Sequence, residues 1–258
     1  TIRSIKLNCD GALGSRGAWL TDAYADRPGF FGMATFPMDT ILTIAREALK
    51  GGLQVCSHAI GDRANHEVLD RYEAAFKEQP EKSDHRFRIE HAQHLLPGDI
   101  PRFGQLGVIA AVQAVHLSSD RPWAIERLGE RRIKEGAYMW QSILKSGGKV
   151  INGTDVPVEP INPIASFYAS ITRKTLKGEP EGGYEPEEKL TRQQALRAYT
   201  WDAAYGAFEE KIKGSIEPGK LADFTVFSQD IMTVPDSALL KTEVLMTILG
   251  GKKVFEKK

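Results

Sequence analysis

Leu53 to Phe76, LQVCSHAIGDRANHEVLDRYEAAF, constrains the fold more than any other stretch. A short apolar run ends at His58, a Gly-Asp loop follows, and then apolar residues recur at helical spacing at Val68, Leu69, Tyr72 and Phe76. This is one strand-loop-helix unit of an α/β protein, with Asp62 expected as the helix N-cap. The pattern recurs. RFRIEH places His91 at the end of a second strand, and KVINGTD places Asp155 at the end of a third. Side chains at the carboxyl ends of parallel strands converge on one face of the sheet. Two histidines and a carboxylate there form a candidate metal site.

The remaining punctuation gives five strand-helix units. Strands are expected at Ile2–Asn8, Leu53–His58, Phe87–His91, Val108–Val115 and Val150–Asn152. Helices are expected at Met38–Leu49, from Asp62 onward, at Pro97–Leu106, Tyr138–Lys145, Ile164–Arg173 and Thr191–Ala207. Thr175 to Lys189, rich in Gly, Glu and Pro, reads as a mobile surface loop. From Gly214 the character changes, and Leu221–Phe227, Val244–Leu249 and Val254–Phe255 read as further strands, the last two, with no helix between them, as an antiparallel hairpin across Gly250-Gly251. Five parallel strands fit either an open doubly wound sheet or the last part of a (β/α)₈ barrel, and length favours neither.

With 258 residues and a formal net charge of +0, the chain offers no electrostatic reason to bind nucleic acid or a membrane surface. No apolar run approaches the roughly 20 residues needed to cross a bilayer. The start shows no signal-peptide pattern, although a lost leader stays open. Two cysteines, Cys9 and Cys56, give no disulfide framework, so a reducing, cytoplasmic setting is expected. There is no GxxxxGK[ST] or GxGxxG phosphate loop and no GxSxG elbow, which argues against nucleotide-driven and serine-hydrolase chemistry.

Imidazole and carboxylate donors suit Zn²⁺ or another first-row divalent ion, which lowers the pKa of bound water toward about 7. Lys6, on a strand near its carboxyl end, has two readings: a partly exposed strand lysine, or an amine that takes up CO₂ and bridges metals as a carbamate. His116, at the end of the fourth strand, is a candidate to touch substrate. Arg121 is either a carboxylate clamp or a surface salt-bridge partner. His66 and His85 are read as peripheral, His94 as a supporting or packing residue, and Glu90 as structural, because neighbouring strand residues face opposite ways.

Together, KLNCDGALGSR, SHAIGDRANHEVLD, RIEHAQ, INGTDVPVEPINP and GSIEPGKLADFTVF resemble the metal-dependent amidohydrolase superfamily. The nearest branch is the YtcJ-like, amidohydrolase-3 group, which includes N-substituted formamide deformylases. The resemblance implies a (β/α)₈ TIM-type barrel with a small β-sandwich. Residues 1–213 would supply barrel strands four to eight, and residues 214–258 the returning sandwich strands. It implies metal ligation by Lys6, carboxylated in related enzymes, and by His58, His91 and Asp155, with Asp155 also the general base and one or two zinc ions bound.

The resemblance further implies hydrolysis of a carbon–nitrogen bond of amide or N-formyl type in a small-molecule substrate. A ring deaminase of the same superfamily is the alternative, ranked lower because such deaminases carry glutamate three residues after the strand-five histidine, where Gly61 stands here. The family's opening HxH pair has no counterpart in this sequence. The chain is therefore read as the C-terminal part of a longer protein, its N-terminal half truncated, cleaved or supplied by a completing chain. A non-catalytic half-barrel that serves in binding or assembly, and a homo-oligomer, stay open.

Overall fold

The computed structural model describes residues 2–258. The elements in order are β1 (Ser4–Asn8), α1 (Met38–Gly51), β2 (Gln54–Ala59), α2 (Asp62–Glu78), β3 (Arg88–His91), α3 (Ile100–Leu106), β4 (Ile109–Val112), α4 (Val115–Gly136), α5 (Trp140–Lys145) and β5 (Lys149–Asn152). They are followed by α6 (Pro163–Thr172), α7 (Arg192–Tyr199), α8 (Trp201–Gly206), β6 (Phe224–Phe227), α9 (Asp236–Leu239), β7 (Val244–Leu249) and β8 (Lys252–Glu256). Two compact units result. The first runs to Val112 and resumes at Ser119–Val150; the second takes Gln113–Ser118 and Ile151–Lys258.

In the first unit the sheet order is β1-β2-β3-β4-β5, and β1 to β4 pair in parallel. Each strand lies beside its sequence neighbour, without the reversal that defines a doubly wound sheet. Register divides the side chains sharply. Leu7, Ser57, Ile89 and Ala110 share one row, and all are buried. Helix α2 covers this face: the Tyr72 hydroxyl, on its buried stripe, donates to Ser57 Oγ at 2.7 Å. The opposite face carries Lys6, Cys56 and Arg88 in one row, and Asn8, His58 and Glu90 in the next. That face is polar, unlike a parallel sheet covered by helices on both sides.

Helix α1 buries Ile41, Ala45, Ala48 and Leu49, and its Arg46 pairs with Glu78 of α2. It ends at Gly52, whose φ of +66° is the left-handed cap that side chains resist. Asp62 is not the N-cap of α2. Gly61 holds that position without a side-chain cap, and Asp62 Oδ1 instead accepts the Thr21 N–H at 2.7 Å.

In the second unit Asn162 caps α6 through the Ile164 N–H, and Thr191 with Gln194 forms a reciprocal capping box on α7. The expected helix 191–207 is two helices, broken at Thr200. Residues 175–189 are pinned rather than loose: Arg173, 0% exposed, donates from Nε to the Tyr184 carbonyl at 2.6 Å and pairs with Glu185 at 3.2 Å. Strands β6, β7 and β8 form an antiparallel three-stranded sheet, so the hairpin reading extends to a third strand.

Candidate metal and substrate site

His58 is the fifth of the six residues of β2, with its side chain on the polar face of the sheet. His91 ends β3 opposite Ala59, so strict alternation would send its side chain to the helix-covered face. The backbone prevents this. His91 has φ +76° and Ala92 φ +42°, so the extended conformation stops there and the ring swings toward His58. The two imidazoles meet edge-to-face with centroids 4.4 Å apart. Two nitrogen-bearing rings at adjacent strand ends are a donor set that a first-row divalent ion accepts. Among the described residues no group of three or more His, Cys, Asp or Glu side chains is arranged to hold an ion.

Asp10, two residues beyond β1, completes the wall beside His58. It is 3% exposed and accepts three backbone N–H groups: Trp19 at 2.9 Å, Ile60 at 3.0 Å and Gly61 at 2.8 Å. Its Oδ1 stands 3.4 Å from His58 Nε2. Burial pushes the Asp10 carboxyl up to about 7, against the three N–H donors that favour the anion. Gly61 is sterically fixed: a Cβ there would lie 2.0 Å from the Trp19 carbonyl oxygen. In the sequence, Asp10 falls in the loop CDGALGSRGAW, whose glycines and aspartate mark a turn region that could line a site. The available signal was a buried-type Asp-Gly directly after a strand, level with the His58 strand end.

Lys6 lies one row deeper than His58, beside Cys56, and is exposed. Burial raises the Cys56 thiol, which keeps it protonated. Glu90 shares the row of His58 rather than opposing it, and its carboxylate accepts from Arg88 Nε at 2.9 Å. Arg121 lies in α4 and is 8% exposed. His94 is 3% exposed; its ring nitrogens have no hydrogen-bond partner, and burial drives it down to about 3, so it stays neutral.

In the second unit His116 is not at a strand end. Strand β4 stops at Val112, and His116 occupies the first turn of α4, 7% exposed. That turn is held from below. The Ala114 N–H donates to Asn152 Oδ1 at 3.1 Å, and the Val115 N–H to Ser166 Oγ at 3.1 Å. Asn152 also donates to Ser170 Oγ at 3.0 Å, and the Tyr199 hydroxyl donates to the Gly153 carbonyl at 3.2 Å. Asp155 stands three residues past β5 in an exposed loop, with φ +57°, a conformation Asp tolerates better than most residues. The structure thus brings His58 and His91 together, while Asp155 and His116 belong to the other unit.

The model of the amidohydrolase family matches residues 1–255. The chain belongs to the amidohydrolase family. Among curated relatives it is 38% identical over 254 residues to Protein LONG AFTER FAR-RED 3 of Arabidopsis thaliana, covering 98% of this chain and 43% of that one. It is 33% identical to the putative amidohydrolase YtcJ of Bacillus subtilis strain 168, covering 98% and 47%. It is 29% identical to the N-substituted formamide deformylase of Arthrobacter pascens, covering 83% and 39%. A solved structure of an uncharacterized metal-dependent hydrolase from Pyrococcus horikoshii OT3 superposes with a TM-score of 0.80 at 31% identity, covering 92% of this chain and 46% of that one. The amidohydrolase chain described here therefore spans about half the length of the relatives it matches. No helix among its described residues is long and apolar enough to cross a membrane.

Proposed function

We propose that the intact protein is a metal-dependent hydrolase of carbon–nitrogen bonds, of the non-peptide amide or N-formyl type. The observation that carries this is the His58–His91 pair, two imidazoles brought edge-to-face at adjacent strand ends by a left-handed residue. Strained backbone at the end of a strand is the kind of feature that a site, rather than packing, requires. His58 and His91 would hold a divalent ion, zinc by the chemistry of the donors, with Lys6 and Asp155 as the further ligands that the family pattern assigns. When bound, such an ion polarises a carbonyl and makes water acidic. Asp155 would take a proton from the attacking water and return it to the leaving amine, while His116 and Arg121 would contact substrate.

The sequential strand order and the polar sheet face support a reading of residues 1–213 as the last five strands of a (β/α)₈ barrel. Residues 214–258 would be strands of a sandwich. The ring-deaminase alternative loses support at Gly61, where any side chain, glutamate included, would collide with the Trp19 carbonyl.

The test uses intact protein. Metal analysis is expected to give one or two divalent ions per chain, and N-substituted formamides are expected to release amine without ring deamination. Replacing His58 or His91 by Asn should lower metal content at least about tenfold while the fold is retained. A wild-type protein that stays metal-free after dialysis against zinc would refute the proposal and favour a non-catalytic binding or assembly chain.

A further inference from the structure

The parallel ladder between β2 and β3 ends at Ala59 opposite His91. There His91 and Ala92 take positive φ, so β3 leaves the extended conformation just where the two imidazoles meet. Sheet hydrogen bonds therefore do not carry on past the two rings. Beyond the ladder, the loops after β2 and β3 are joined by a backbone bond and by one side chain. The His94 N–H donates to the Ile60 carbonyl at 3.1 Å. Asn65, at the end of the first turn of α2 and 0% exposed, donates from Nδ2 to three carbonyls: Ala59 at 3.1 Å, Gly61 at 2.9 Å and His94 at 3.1 Å.

Carbonyl oxygens only accept, so the NH₂ half of this amide faces them. Among the described residues nothing donates to the other half, the buried Oδ1. A buried acceptor without a donor opposes folding, and Asn is a weak helix former. Neither feature stabilises α2. What the residue supplies is an NH₂ group between the loops that follow His58 and His91.

We propose that Asn65 is a positioning residue that sets the separation of His58 and His91 by tying the two loops behind them together. For what the pair binds, the proposal rests on the metal-hydrolase reading above; for the geometry of the pair it does not. Ala59 follows His58 directly and His94 lies three residues past His91, so slack at either carbonyl reaches a ring within a few bonds of chain. A ligand set works only when held to within about 0.5 Å.

Asn65→Asp is the informative variant. It keeps the shape, removes the NH₂ group and sets carboxylate oxygens against the three carbonyls. Asn65→Ala removes the donors without that repulsion and serves if the aspartate variant does not fold. Tyr72→Phe is the stability control: it removes a buried hydrogen bond between the same helix and the same strand, to Ser57 on the helix-covered face. The readouts are histidine ¹H NMR of metal-free intact protein at pH 8.5, zinc titration and thermal unfolding. In the edge-to-face contact one ring shields a proton of the other; its signal is assigned by comparison with His58→Asn and His91→Asn.

Wild type should show the shielded signal. In either Asn65 variant the signal should move to the position of an isolated imidazole, and zinc should bind about 10-fold or more weakly. Tyr72→Phe should lose thermal stability and keep both. A wild-type protein without the shielded signal would overturn the proposal before any variant is made. So would a folded Asn65 variant that keeps the signal and binds zinc within twofold of wild type, or a Tyr72→Phe protein that loses zinc affinity equally. A wild type that shows the shielded signal but takes up no zinc would refute the hydrolase reading instead, and loss of that signal in the Asn65 variants would still support the positioning role.

Discussion

His85 gives the sharpest quantitative prediction. Its ring stacks on Phe76 with centroids 3.7 Å apart and meets Phe87 edge-on at 5.3 Å. Nδ1 accepts the Phe87 N–H at 3.0 Å, so Nδ1 is bare and Nε2 carries the proton, donating to the Leu106 carbonyl at 3.1 Å. A second proton on Nδ1 would face the Phe87 N–H and abolish that bond. Burial lowers the ring from 6.5 to about 4, against the Leu106 carbonyl and Asp84, which favour the cation. The unfolded chain takes up the proton near 6.5 and the folded chain only near 4, so this contribution to stability is complete above 6.5 and is lost as pH falls toward 4. Between pH 7.5 and pH 5 the linked loss is about 2 kcal/mol.

His85→Leu removes the titration. It costs about 1–3 kcal/mol at pH 7.5, because the Phe87 N–H loses its acceptor. Urea unfolding followed by circular dichroism at both pH values is the assay. Wild type should lose about 2 kcal/mol more than His85→Leu on going to pH 5. His94, neutral for the same reason, is present in both proteins and cancels. Parallel pH dependence in the two proteins would refute the assignment of a neutral, doubly bonded His85.

Two further outcomes follow from named contacts. Gly61→Ala places a methyl 2.0 Å from the Trp19 carbonyl, so the loops must separate and Asp10 loses N–H partners; thermal unfolding should show about 3 kcal/mol lost, and a Tm within a degree of wild type would contradict the packing. Arg173→Met should cost about 3–5 kcal/mol, because Glu185 would lose its buried partner. Limited proteolysis should then cut within residues 175–189, and equal resistance in both proteins would show that the Arg173 anchor does not hold that loop.

Much of the first unit was legible in the sequence because its signals are local. Apolar spacing placed α1 and α2, and strand pattern followed by Gly-Asp placed His58. The errors fell where tertiary contacts override local preference. Asp62 looks like a cap, but its carboxylate is drawn to Thr21 across the chain. Val108–Val115 looks like one strand, but the Ala114 and Val115 N–H groups turn to Asn152 and Ser166, and His116 passes into a helix. Residues 175–189 have the composition of a loose loop, yet they fold over Arg173, 11 residues before Tyr184. Composition reports what a segment can do alone and is silent on a distant buried guanidinium.

For the candidate site, the sequence by itself determined the donors. His58 and His91 follow strand patterns, and the motifs around them carry the amidohydrolase family signature that spans residues 1–255. Only the tertiary structure decided how those donors meet. Period-two alternation assigns His91 to the wrong face, and a positive φ at the last strand residue, which no pattern of residue types announces, brings it to His58. The sequence likewise shows an Asp-Gly turn at position 10, whereas the fold turns that aspartate into a buried anchor for two loops. The physical reason is range: periodicity, capping and turn chemistry act over a few residues, while the carboxylate of Asp10 finds its partners 9 and 51 residues away.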